Sequence, residues 1–354
     1  MYSIRIKAGK QVYAAIRDGG FSLDRVSTYF APATGPRWLV ASGFDLTLLK
    51  AEVLGRSGPV LLAGSSTGAC RFAAWLQPEA EKSYLALREA YVNLNYKRGD
   101  APSAVLKSLG DVINASIEDD ALPFALAHKK YRLAVITARA RQLVASEIPW
   151  IQRSGLGLAF LFNALHRSCL HGFFERVVFY SGAKPPHFCL QDDFRGKYIP
   201  LNDINFKHAL MASASLPLVM AGIRDIYGAP KGVYRDGSLT DYQLARSYAP
   251  RDNVTLFFHH QERIIPCWLD KRLSSRLPAE DALDNVLMVF PTARFIGNLP
   301  GGKVPAREDF ITFMDRPEAR MQSWRRAVEQ AAPLGEEFLE LVESGKIRDA
   351  VERI

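Results

Sequence analysis

Pro59-Val-Leu-Leu-Ala-Gly64-Ser-Ser66-Thr-Gly68-Ala-Cys-Arg-Phe-Ala-Ala-Trp-Leu76 is the stretch on which the reading of the fold turns. Four apolar residues, Val60 to Ala63, have the length and bias of a buried strand. The chain then bends through Gly64-Ser65-Ser66-Thr67-Gly68 and resumes with Ala69, Phe72, Ala73 and Leu76 at helical spacing. Strand, tight turn and helix form the context in which G-x-S-x-G acts as a nucleophile elbow. The turn lifts the Ser66 hydroxyl off the end of the sheet, while Gly64 and Gly68 let neighbouring backbone pass close by. The helix opens with unpaired N–H groups and a positive dipole end, which favours negative charge developing on a substrate.

Outward from the elbow, Val26 to Phe30, Leu133 to Thr137, Val177 to Tyr180, Val254 to Phe258 and Val286 to Phe290 read as further buried strands. Helical patterns separate them: around Val12, Ala15 and Ile16, from Trp38 to Leu54, from Pro78 to Val92, and through Leu106, Val112 and Ile113. Strands alternating with helices argue for an α/β sheet covered on both faces. Gly155-Leu-Gly-Leu-Ala-Phe-Leu-Phe-Asn-Ala-Leu165 is half the length of a membrane span and reads as a buried helix rather than an interfacial lid. From Pro305 the sequence is charged and helical. We therefore expect one domain over 1–300, its motif core at 26–242, and a helical C-terminal extension over 301–354.

With 354 residues and 48% apolar content, a large core is assured. The net charge of +8 is dispersed, because Lys129-Lys130-Tyr131-Arg132 and Arg325-Arg326 are short and scattered. No nucleic-acid partner is expected from that pattern; transient contact with an anionic membrane surface is compatible with it. Cys70, Cys169, Cys189 and Cys267 lack the spacing of a metal or redox site. No metal and no cofactor are expected, and so few cysteines fit a reducing compartment. Met-Tyr-Ser-Ile-Arg-Ile-Lys lacks the apolar centre of a secretory signal, and no stretch approaches the roughly 20 apolar residues of a span. A cytoplasmic protein, at most peripheral to a membrane, is the expectation.

A serine hydroxyl is a poor nucleophile until a base takes its proton. Asp236, on the tight turn Asp236-Gly237-Ser238, is one candidate base; His259 or His260, beyond the strand ending at Phe258, is the other. Ser66, Asp236 and His260 stand in the chain order of an α/β-hydrolase triad. Acyl transfer also needs backbone donors aimed at the oxyanion. Thr34-Gly35-Pro36-Arg37, directly after the first predicted core strand, is placed to supply them.

Four segments in order give the chain its resemblance to the patatin-like phospholipase family. Ala33-Thr34-Gly35-Pro36-Arg37-Trp38 is similar to the family's G-G-G-x-R-G oxyanion loop, and Gly64-Ser65-Ser66-Thr67-Gly68 to its elbow. Ala212-Ser213-Ala214-Ser215-Leu216-Pro217 resembles its Ala-Ser-x-Ala-x-Pro segment, and Asp236-Gly237-Ser238 its D-G-G/A box. The resemblance implies a three-layer α/β/α patatin-like fold with a mostly parallel sheet. It further implies a Ser66–Asp236 dyad without histidine, and a lipid or other acyl-ester substrate. Under it, the amides of Thr34 and Gly35 form the oxyanion hole, and Arg37 binds an anion or braces the loop. The chain departs from the pattern at Ala33, Thr34, Trp38 and Ser238. Non-glycine residues restrict the loop, and Trp38 is expected to narrow the acyl site. A triad esterase using His260, a lipid- or partner-binding pseudoenzyme and an acyltransferase are the alternative readings.

Overall fold

The computed structural model describes residues 2–354. Its strands are β1 (Ile4–Ala8), β2 (Val26–Ala31), β3 (Val60–Ser65), β4 (Tyr131–Ala140), β5 (Phe174–Tyr180), β6 (Gly196–Pro200), β7 (Ile223–Arg224), β8 (Val233–Asp236), β9 (Val254–Phe258), β10 (Val286–Pro291) and β11 (Val351–Arg353). They form one sheet in the order β11-β1-β10-β9-β2-β3-β4-β5-β6, with β8 on β4 and β7 on β8. The run from β10 through β9, β2 and β3 to β4 is parallel, bordered by antiparallel β1 and β5. Parallel strands need crossovers and cover on both faces, which is why they read as continuous apolar runs.

The helices are α1 (Lys10–Arg17), α2 (Ser42–Lys50), α3 (Thr67–Trp75), α4 (Ala80–Val92), α5 (Pro102–Asn114), α6 (Leu122–Leu126), α7 (Pro149–Leu165), α8 (Phe206–Ala214), α9 (Ala293–Asn298), α10 (Glu308–Thr312), α11 (Pro317–Ala331), α12 (Leu334–Glu343) and α13 (Ile347–Ala350). The architecture is three-layer α/β/α. Alternate residues of β4 sort onto its two faces. Leu133 and Val135 join a core with Phe44, Phe72, Trp75 and Phe338. Ala134 and Ile136 face Phe30, Tyr248 and Phe257. Farther along, Ala138 and Ala140 meet Leu156 and Ala159 of α7.

The reading of Gly155–Leu165 as a buried helix is overturned. α7 is not a buried helix: Trp150, Leu161 and Leu165 are 69%, 59% and 80% exposed, and Leu158 and Phe162 are exposed as well. Its opposite face, with Gln152, Gly155, Leu156, Ala159 and Asn163, is the buried one. The composition is apolar on both sides, so the sequence carries no sign of which side a neighbour covers.

Residues 301–354 pack onto the body. Trp324, Ala331, Leu334 and Phe338 share a core with Trp38 and Phe44, and β11 pairs with β1. The approach of α2 to the C-terminal segment is close enough to require glycine, since a Cβ on Gly43 would lie 2.5 Å from the Ala332 Cα.

Candidate active site

The register of β4 brings the two halves of the site together. Its first half pairs with β3, ending at Ser65 opposite Ile136. Its second half, along the same edge, pairs with antiparallel β8, ending at Asp236 opposite Thr137. Because β3 and β8 run towards each other along one edge, their C-terminal ends meet. The Ser66 hydroxyl donates to Asp236 Oδ2 at 3.0 Å.

Ser66 sits between β3 and α3 at φ 57°, ψ −130°, a conformation that L residues seldom adopt. Packing and hydrogen bonds hold it there. The Ser66 amide donates to Ser213 Oγ at 2.8 Å, and that hydroxyl donates to the Ile136 carbonyl at 2.6 Å. Both elbow glycines are sterically required: a Cβ on Gly64 would lie 2.5 Å from the Ala69 nitrogen, and one on Gly68 2.2 Å from the Ala31 oxygen. Ser213, which the sequence placed in a family-like segment without a role, is thus the bracket of the elbow.

Asp236 is fully buried, and burial raises its pKa above the ordinary 3.8. Arg307 nearby and the hydrogen bonds from Ser238 and Ser66 oppose that rise. The Ser238 amide donates to Asp236 Oδ1 at 2.8 Å, which leaves Oδ2 directed at Ser66. Leu239, three residues past Asp236, ends the turn, and Asp241 anchors it through a buried pair with Arg176 at 2.5 Å.

Thr34 precedes a 3-10 helix, Gly35–Ala41, whose first amides have no helical partner. Gly35 adopts φ +56°, where a side chain would be strained. Thr34, Gly35, Asp236 and Ser238 line one small cavity of about 40 Å³ together with Arg37, Tyr242, Trp268, Lys271, Arg307 and Glu308. Ser66, bonded to Asp236, is 2% exposed and is not part of that lining. The hydroxyl of Thr34 is buried here without a partner, so the cavity presents an unsatisfied polar atom. A larger groove of about 1230 Å³ lies elsewhere, lined by residues such as Lys7, Lys10, Glu262 and Asp284. Its lining holds no serine, cysteine or histidine.

Arg37 lines the cavity and approaches Glu308 at 3.9 Å. Two further cations, which no motif announced, complete the rim. Lys271 comes from a 3-10 turn, Trp268–Arg272, and lies 4.7 Å from the Tyr242 ring centroid and 5.7 Å from that of Trp268. Desolvation, with the charges of Arg307 and Arg37, lowers its pKa to about 8. Arg307 packs against Gly35, its Nε 3.0 Å from where a Cβ would be. Three cations, Arg37, Lys271 and Arg307, thus share the lining with two carboxylates, Asp236 and Glu308.

Trp38, expected to narrow the site, does not line the cavity. Its ring turns into the core against Tyr84 and Tyr91, at 5.9 and 5.5 Å between centroids, because the 3-10 helix points it away from the cavity. His259 and His260 are buried beside each other, 4.4 Å between ring centroids, and burial lowers both pKa values, that of His259 to about 3. Among the described residues, no imidazole hydrogen-bonds Ser66 or Asp236. No family model, curated protein or solved structure matches this chain.

Proposed function

We infer that the protein is a serine acyl-ester hydrolase of patatin-like type, acting on lipid esters through Ser66 and Asp236. The observation that carries this reading is the direct 3.0 Å hydrogen bond from the Ser66 hydroxyl to a buried carboxylate whose pKa is raised. In the first step the Ser66 oxygen attacks the ester carbonyl and its proton passes to Asp236 Oδ2. Under this reading the amides of Thr34 and Gly35, with the head of α3, receive the oxyanion. Collapse breaks the C–O bond to the alcohol, which leaves with the proton from Asp236. A water then gives its proton to Asp236 and attacks the acyl-enzyme; the acid departs and Ser66 recovers its proton. The rim of Arg37, Lys271 and Arg307 favours an ester with an acidic group near the scissile bond, as in a phospholipid.

Fluorophosphonate labelling and hydrolysis of p-nitrophenyl and phospholipid esters test the reading. Wild type labels and turns over; Ser66→Ala abolishes both, and Asp236→Asn lowers kcat by about 10² to 10⁴-fold. His260→Ala keeps most activity. A loss from His260→Ala as deep as that from Asp236→Asn restores the triad esterase, and absence of labelling and turnover favours a pseudoenzyme. Product analysis with added alcohols separates hydrolysis from acyl transfer.

A further inference from the structure

The outer face of α7 is an apolar surface left largely uncovered among the described residues, Phe162 alone meeting another ring, that of Phe173 at 5.9 Å between centroids. At about 100° per residue, Trp150, Leu158, Leu161, Phe162 and Leu165 fall on one arc of about 120°, which also holds the half-buried Ile151 and is interrupted only by Ser154. Ile148 is exposed just before the helix, and Leu218 and Val219 are exposed beside it. Gln152 Oε1 accepts the Leu218 amide at 2.7 Å, which fixes that loop to the head of α7. Seventeen residues make a helix about 25 Å long, short of the roughly 30 Å of a bilayer's hydrocarbon. No helix among the described residues is long and apolar enough to cross a membrane.

Charge selects the occupant. From Ile148 to Phe174 the chain has no Asp or Glu, while Arg153 and Arg167 lie within it. Arg153 is exposed at the edge of the apolar arc, and neither arginine has an ion-pair partner among the described residues. The flanking carboxylates are neutralised, Glu147 by Arg235 and Glu175 by Arg139 and Arg141. A leucine- and aromatic-rich face with an exposed arginine at its edge and no acid has the composition of a helix lying in an anionic lipid interface. Trp150, the exposed tryptophan among the five, sits where interfacial tryptophans gather.

The inner face ties this surface to the site. Asn163 Nδ2 donates to Asp270 Oδ1 at 2.7 Å, fully buried, within the same 3-10 turn that gives Trp268 and Lys271 to the cavity. We propose that the exposed face of α7, with Leu218 and Val219, seats the protein on an anionic bilayer surface beside the Ser66–Asp236 site. The inference rests on the acyl-hydrolase reading for its purpose, but binding is measured without turnover.

Flotation of the full chain with phosphatidylcholine vesicles, with and without phosphatidylglycerol, tests it. Wild type and Ser66→Ala are expected to float with the anionic vesicles alone, with Trp150 emission shifting to the blue; Trp150→Phe removes the shift. Leu161→Glu with Leu165→Glu weakens partitioning by more than about tenfold and leaves turnover of a soluble ester intact. Arg153→Glu with Arg167→Glu weakens binding at low salt, and rising salt weakens the wild type in the same way. Failure to float, or equal floating of Leu161→Glu with Leu165→Glu, overturns the proposal. So does a concentration-dependent dimer that those substitutions abolish, which would make the face a contact between copies. Binding without turnover refutes the hydrolase reading alone.

Discussion

Asp236 illustrates how one residue couples chemistry to stability. Burial raises its pKa above 3.8, and the carboxylate form is the one that takes a proton from Ser66. The kcat/KM of a neutral ester is therefore expected to fall on acidification with an apparent pKa above that of a free aspartate. Arg307 is the charge that most restrains the rise. Arg307→Met should move the acid limb to higher pH, which a pH–rate profile reads; an unmoved limb would take the titration away from Asp236. The same shift acts on folding with the opposite benefit. The native state holds the Asp236 proton more tightly than the unfolded chain, so this group's contribution to stability declines as pH rises from 3.8 through the raised value. Asp236→Asn removes that decline, and denaturant midpoints across this pH range are expected to show a variant gaining on the wild type as pH rises.

At the scale of elements, α3 is positioned by a buried ion pair as well as by apolar contact. All nine of its residues are buried, including Arg71, whose guanidinium bonds Asp45 of α2 twice at 2.7 Å. The Tyr29 and Tyr84 hydroxyls also donate to Asp45, Tyr29 at 2.6 Å. Arg71→Met strands the carboxylate and is expected to cost about 3–5 kcal/mol, read from guanidinium unfolding. Adding Asp45→Leu should recover part of that loss, though two tyrosine hydroxyls lose their acceptor. Arg71 and Asp45 stand singly in apolar runs, a legible sign of a buried charge, but nothing in the sequence pairs residues on different helices. The central parallel strands β2, β3, β4, β9 and β10 were legible because burial on both faces makes them continuously apolar, whereas the outer β6 and β11, exposed at most positions, were not. β1 was not, since Arg5 and Lys7 alternate with Ile4 and Ile6 at the sheet's border. In the site, Ser66, Asp236 and the Thr34–Gly35 turn were visible as strand-end turns in order. Lys271 and Arg307 were not, because the one comes from an irregular 3-10 turn and the other from the C-terminal segment.

On the scale of the whole molecule, the two ends of the chain close one structure around the elbow. β1 and β11 pair at the border of the sheet, and α11 and α12 cover the face on which α2, α3 and α4 lie. Phe338 packs on Phe44 at 5.1 Å between centroids, and Trp324 stacks on Tyr91 at 6.4 Å. Each such fully buried aromatic side chain contributes about 1.5–3 kcal/mol or more, a large share of the few kcal/mol by which domains are stable. Cutting the chain after residue 300 would expose Trp38 and Phe44, remove Arg307 from the cavity and leave β1 without its parallel neighbour. The expected outcome is a polypeptide without a cooperative unfolding transition or fluorophosphonate labelling, checked by calorimetry and labelling of the 1–300 fragment beside the full chain. A fragment that unfolds cooperatively and still labels at Ser66 would mean that the face covered by α11 and α12 is stable in their absence. In that case the same fragment, with its cavity opened at Arg307, would be expected to turn over bulky esters faster than the full chain.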